Sequence, residues 1–159
     1  MRDEKGDSMD AVTMLKDDHD KVKKILSDLD STTERGVKTR EELFAKVKRE
    51  LEVHETIEEE IFYPALKEHP KMKDLVLEAY EEHHVVDTVM AEIRGVPYDD
   101  ETWGAKLTVM KENVEHHIEE EEDEMFPQAR RVFSEGELEE LGDRMLARKE
   151  DLLAQIPPG

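Results

Sequence analysis

The sequence predicts an all-α protein, an antiparallel up-down four-helix bundle with an additional short C-terminal helix. Three observations carry that expectation. Ala, Glu, Lys, Leu and Met dominate the central stretch, residues that lose little rotamer freedom in a helix, while aromatic residues make up only 5%. Apolar positions recur at steps of three and four along four segments of comparable length with short links, the pattern of an antiparallel bundle. At 159 residues the chain fits one domain able to bury a single core.

Residues 1–8 read as a flexible tail. Asp10 is a plausible N-cap for a first helix running to about Asp30, with Val12, Leu15, Val22, Ile25, Leu26 and Leu29 at helical spacing. After a loop at Ser31–Lys38, Thr39 and Glu42 make a capping-box pattern that opens a second helix through Leu43, Val47, Leu51, Ile57 and Ile61. Pro64 sits near its end and His69-Pro70 forms a break. A third helix spans about Lys71 to Ile93, and Gly95-Val96-Pro97 is the next loop. Asp99 or Asp100 can cap a fourth helix carrying Trp103, Leu107, Met110, Val114 and Met125. Ser134 and Glu137 form another capping box before a short fifth helix that ends near Gln155, and Pro157-Pro158 closes the chain. The expected organisation is a bundle over residues 9–132, with a C-terminal helix and tail over 133–159 packing against one end.

Charge excludes several function classes. Lys and Arg number 23 against 43 Asp and Glu, a net charge of −20. That balance argues against nucleic acid and against an anionic membrane surface, both of which need clustered cations. There is no cysteine, so any metal must rest on histidine and carboxylate ligands. No apolar run approaches the ~20 residues of a membrane span, and the polar N-terminus has no signal-like apolar region. A soluble cytoplasmic protein is the expectation.

An internal repeat runs through the helices. Asp18-His19-Asp20-Lys21-Val22 resembles Glu82-His83-His84-Val85-Val86, and His54-Glu55-Thr56-Ile57-Glu58 before Phe62-Tyr63-Pro64 resembles His117-Ile118-Glu119-Glu120-Glu121 before Met125-Phe126-Pro127. His19 and His54 are 35 positions apart, His83 and His117 are 34 apart, and two helix pairs with one polar pattern suggest a pseudo-twofold bundle. His19 lies in the apolar series Leu15, His19, Val22, Leu26, so it belongs to the core stripe. By the same test His54, His83 and His117 face inward, with Glu58 and Glu121 one turn beyond His54 and His117. His116 with Glu120 offers a competing register, but the repeat counted back from Pro64 and Pro127 selects His117 and Glu121. His84 is displaced about 100° from His83 and reads as partly exposed or beside the site. Only Glu121 of the run Glu119–Glu124 is assigned inward, His69 reads as surface, and Tyr63 and Tyr80 either line the site or simply pack. Six polar groups in a bundle core would cost several kcal/mol each in desolvation unless something neutralised them. A metal pair does so, and a buried hydrogen-bonded network is the alternative.

The combined pattern resembles the HHE cation-binding, or hemerythrin-like, family. The residues that carry the likeness are Asp18-His19, His54 with Glu58 before FYP, Glu82-His83, and His117 with Glu121 before FP, within about residues 10–130. The resemblance implies two irons between four helices, with His19, His54, Glu58, His83, His117 and Glu121 as ligands. Glu58 and Glu121 would be the bridges beside a solvent-derived oxo or hydroxo group. Oxygen-carrying hemerythrins are similar but place two histidines one turn apart on the third helix and end with His-xxxx-Asp. Here Asp87 stands one turn after His83 and the last motif is His-xxx-Glu. The set is poorer by one imidazole unless His84 or Asp87 substitutes, which leaves a position open for a small ligand: O2, H2O2 or NO. More carboxylate character favours the ferric state. The expectation shifts from oxygen carriage towards redox sensing or turnover of peroxide or nitric oxide, catalase- or peroxidase-like in the first case; the alternative is a reversible oxygen- or iron-binding sensor without turnover.

Overall fold

The computed structural model describes residues 9–156, and among these the secondary structure is helical throughout. The expected tail at 1–8 and the Pro157-Pro158 closure lie outside the described residues. None of the described helices is long and apolar enough to cross a membrane. Helix α1 spans Ala11–Asp30, and Asp10 caps it by accepting the Thr13 N–H at 2.8 Å. Helix α2 spans Val37–Ile57 and α4 spans Lys73–Arg94, the latter entered through a 3₁₀ turn at Pro70–Met72. Helix α5 spans Glu101–Glu120 with Asp100 as its cap, and α7 spans Glu135–Gln155 behind a formed Ser134–Glu137 capping box. The Thr39–Glu42 box does not form. The Thr33–Gly36 turn runs straight into α2, with the Gly36 carbonyl accepting the Arg40 N–H at 2.8 Å, so Thr39 lies inside the first turn rather than ahead of it.

Two π turns interrupt the helices that carry the His-xxx-Glu motifs. The first, Glu58–Phe62, joins α2 to α3 (Tyr63–Lys67), and the second, Glu121–Met125, joins α5 to α6 (Phe126–Val132). In both, the N–H at the far end reaches back five residues: Tyr63 to the Glu58 carbonyl and Phe126 to that of Glu121. The cause is the proline that follows each. Pro64 and Pro127 have no N–H, and their rings would clash with the carbonyl four residues back, so the helix widens by one residue ahead of them. Residues five apart then become stacked neighbours, which carries Tyr63 and Phe126 onto the same inner face as Glu58 and Glu121.

The core is divided along the bundle axis. One apolar cluster gathers Leu15, Ile57, Phe62, Met72, Phe126 and Met145, among others, and a second gathers Val22, Leu26, Val47, Ile93, Trp103 and Leu107. His19, His54, His83 and His117 lie between them, each on a stretch of helix whose neighbours up and down the inner face belong to the two clusters. Helix α1 packs closely on α2 and α5, and α4 on α5, whereas α2 and α4 leave a groove of about 480 Å³ between them. At the far end Arg40 ties two loops together, donating to Thr32 Oγ1 and to the Tyr98 carbonyl while stacking 4.6 Å from the Trp103 ring.

Helix α7 was expected on one end of the bundle; it lies along α1, α2 and the first π turn and reaches the level of Asp18. Arg148 binds both oxygens of Glu60, and Arg49 donates to the Leu153 carbonyl at 3.1 Å. The crossing with α1 requires Gly142: a Cβ there would stand 2.4 Å from the Met9 carbonyl oxygen and 3.0 Å from the Ala11 nitrogen. Both obstacles are backbone and cannot rotate away. Gly142→Ala is therefore expected to destabilise the protein by about 1–3 kcal/mol despite its gain in helix propensity. Denaturant titration reads this directly, and an unchanged or raised midpoint would contradict the close crossing.

Candidate metal centre

The structure brings His19, His54, Glu58, His83, His117 and Glu121 into one buried layer, none of them more than 6% exposed. The imidazoles form two pairs, His19 with His54 at 4.9 Å between ring centres and His83 with His117 at 4.8 Å. Both glutamates lie between the pairs. Glu58 Oε1 is 3.3 Å from His54 Nε2 and 3.1 Å from His83 Nε2, while Glu121 Oε1 is 3.0 Å from His19 Nε2 and 3.5 Å from His117 Nε2. Each carboxylate thus faces one imidazole from each pair, the arrangement a bridging ligand needs. One set of four, His19, His54, Glu58 and Glu121, and a second of three, Glu58, His83 and His117, each converge within 4.8 Å.

All four rings are oriented from outside. Nδ1 of His19 meets Glu122 at 2.7 Å, that of His54 meets Asp18 at 3.0 Å, that of His83 meets Glu59 at 2.7 Å and that of His117 meets Glu82 at 2.6 Å. Asp18 and Glu82 each precede one histidine of the layer and bind the layer's next one along the chain; Glu59 and Glu122 each follow an inner glutamate and bind a histidine of the other half. A carboxylate on Nδ1 fixes the ring and turns Nε2 towards the interior, which is how metal-ligating histidines are usually held. Glu122, expected on a solvated face, and Asp18, Glu59 and Glu82, to which the sequence assigns no role, are all partners of the imidazoles.

The layer is strongly polarised. Burial opposes protonation of His83, yet the Glu58 and Glu59 carboxylates raise it from 6.5 to about 10. Against the same burial, Glu58 and Asp18 carry His54 well above the ordinary range, and Glu121 and Glu122 raise His19. Burial should raise Glu58, but His54 and its other partners hold it well below the usual carboxylate range. Asp18 falls to about 2: burial is outweighed by His54 and by Lys149 of α7, whose Nζ lies 2.8 Å from Asp18 Oδ1. Two buried polar atoms, His54 Nε2 and Glu58 Oε2, have no hydrogen-bond partner within the layer. Inward nitrogens and carboxylate oxygens about 3 Å apart match donors that share one cation at about 2.1 Å from each, and unpartnered atoms of this kind are what such a cation would engage. The residues fit a bound metal.

Tyr63 makes the two halves unequal. Its hydroxyl donates to Glu121 Oε2 at 2.5 Å and lies 3.3 and 3.4 Å from Nε2 of His83 and His117. Its counterpart in the repeat, Phe126, stacks on His19 at 5.7 Å and brings no polar atom. His84 and Asp87, the candidates for a further donor, are both exposed. Asp87 lines the α2–α4 groove, Tyr80 packs edge-on to Tyr63, and His116 pairs with Glu120 on the surface.

Two outcomes follow for protein held free of cations with a chelator. The raised histidines stabilise the fold fully below pH 6.5, their unfolded value, and that contribution is lost as pH rises towards about 10. Asp18, lowered from 3.8 to about 2, contributes above pH 3.8 and is lost only in acid. The melting temperature should therefore fall between pH 6.5 and 10, and a rise over that window would contradict the charged layer. Lys149→Met should destabilise the protein by about 3 kcal/mol because it removes the cation from Asp18 Oδ1 and leaves the buried carboxylate with His54 alone. Adding Asp18→Asn should recover most of the loss in a double-mutant cycle, and strict additivity would contradict the pairing.

The family model of the Hemerythrin HHE cation binding domain matches residues 10–129. Rv2633c of Mycobacterium tuberculosis and Mb2666c of Mycobacterium bovis are each 36% identical to the chain over 115 residues, 69% of this chain and 67% of either relative. The chain is also similar to the crystal structure of an HHE cation binding domain-containing protein from Mycobacterium kansasii, an Rv2633c homologue. That likeness has a TM-score of 0.82 at 28% identity and covers 92% of this chain and 89% of the other. The His and Glu clusters found here are ones that could hold a metal, and the chain belongs to the hemerythrin HHE cation-binding domain family.

Proposed function

We propose that the buried layer holds a pair of iron ions and that the protein turns over a small oxidant, with hydrogen peroxide as the first candidate substrate and O2 and NO as ligands of the same size. His19 and His54 would hold one ion, His83 and His117 the other, with Glu58 and Glu121 shared between them. The Tyr63 hydroxyl gives the second half an oxygen donor that the first lacks. The observation that carries this reading is the pair of unpartnered buried atoms, His54 Nε2 and Glu58 Oε2, inside a ring of oriented imidazoles. The family supports a cation, and the imidazole and carboxylate set with no thiolate suits iron.

Bound iron supplies Lewis-acid polarisation of an O–O or N–O bond and a redox couple. The chain's residues do the rest. Asp18, Glu59, Glu82 and Glu122 hold Nδ1 of the four rings, so the Nε2 face stays fixed through a reaction cycle. A cavity of about 20 Å³ lies against the four imidazoles, walled by Val22, Leu51, Val86, Val114 and Ile118. Space on that scale admits about one water-sized molecule, which selects diatomic or peroxidic ligands and excludes larger substrates. Tyr63 keeps its proton on the hydroxyl facing Glu121, because burial and the Glu121 and Glu58 charges raise it well above an ordinary phenol.

Peroxide consumption by iron-loaded protein tests the proposal. His54→Ala, with helicity retained by circular dichroism, should lose turnover to background, and unchanged turnover would overturn the reading. Glu82→Ala, which removes the support of His117, should lower activity or iron affinity by about 10- to 100-fold.

A further inference from the structure

Two spaces of very different character meet at one side chain. The groove between α2 and α4 is open and measures about 480 Å³, whereas the cavity against the imidazoles is about 20 Å³ and walled mainly by apolar side chains. Among the described residues Glu55 alone lines both. It is 8% exposed, and its carboxylate clusters within 4.8 Å with those of Glu59 and the imidazole of His83. The helix explains the placement. Residue 55 lies about 100° round α2 from His54, so when His54 faces the centre the next side chain faces the seam with α4. That seam is where the bundle packs least closely.

The groove also has a sign. Glu52, Glu59, Glu60 and Asp87 line it against Lys48 and Arg94. A cleft lined by an excess of one charge repels ions of that charge and slows their association, while neutral molecules are unaffected. We propose that Glu55 is the gate of the centre: small ligands reach the inner cavity from the α2–α4 groove past this side chain, which bars the route by its bulk, while the acidic lining of the groove holds back anions. Glu55 is a gating residue and not a metal ligand. The inference rests on the metal reading above and adds to it the route and the selectivity.

The test is stopped-flow binding to full-length, iron-loaded protein, with azide as the anionic probe of the oxidised form and nitric oxide as the neutral probe of the reduced form. Glu55→Ala should raise both association rates several-fold, and Glu55→Phe should lower both several-fold. Added salt, which screens the charges of the groove, should raise the azide rate and leave the nitric oxide rate as it was. Lys21→Phe, on α1 away from the groove, should change neither. If Glu55→Phe disturbs packing, the Glu55→Ala arm decides, since its expected sign is opposite. Equal rates in the unaltered protein and in Glu55→Ala, with iron content intact, overturn the gate and leave the metal reading standing. Unaltered protein that takes up no iron while remaining folded overturns both.

Discussion

A layer of four imidazoles and two carboxylates, sealed between two apolar cores, is the constraint on which the rest of this structure depends. Charged groups in such a place are unfavourable unless each finds a partner of opposite sign with good hydrogen-bond geometry. The chain answers with an outer ring of four carboxylates on Nδ1 and an inner pair between the Nε2 atoms. A fully satisfied buried network rigidifies its surroundings, whereas a partly satisfied one is costly. Here the satisfaction is nearly complete, and the shortfall falls on His54 Nε2 and Glu58 Oε2 at the centre. A cation at the point where the donors converge would engage both atoms once the His54 Nε2 proton leaves.

The repeat builds this layer twice, but the halves have diverged. Tyr63 brings a hydroxyl to the His83–His117 pair where Phe126 brings only a ring face to His19. On the outside the asymmetry runs the other way. Asp18 behind His54 is neutralised by Lys149, while Glu82 behind His117 faces Glu120, whose carboxyl is pushed up to about 7 by its hydrogen bond with Glu82. The lysine comes from α7, beyond the 10–129 family match, so the C-terminal helix contributes to the electrostatics of the centre as well as to its cover. Two positions alike in their histidines thus differ in their oxygen donor and in the field behind them.

What could be read from the sequence follows from where the helices are regular. The inward register of His19, His54, His83 and His117 was legible because each sits on an unbroken α-helix whose apolar residues step by three and four. Glu58 and Glu121 were reached because they open the π turns rather than follow them. Tyr63 lies beyond the widened turn, where an α-helical count puts it on the wrong face; its alignment with Phe126 in the repeat was the available signal. Asp18, Glu59, Glu82 and Glu122 adjoin the motif residues, but next to an inward position an acidic residue reads as solvent-facing, and only the neighbouring helix shows what it binds. Lys149 has no local signal at all, being 131 residues from Asp18. The first turn of α2 was misplaced because a capping-box pattern at Thr39 and Glu42 carries no information about the preceding Thr33–Gly36 turn.

The central claim is that the layer is completed by two cations shared through Glu58 and Glu121. Anomalous X-ray diffraction from crystals of iron-loaded protein, recorded on either side of the iron absorption edge, tests it most directly. The account predicts two iron peaks, one against His19 and His54 and the other against His83, His117 and Tyr63, with the two glutamates between them. A folded protein with no anomalous peak in the layer, and with its imidazoles and carboxylates paired only to one another, would contradict it.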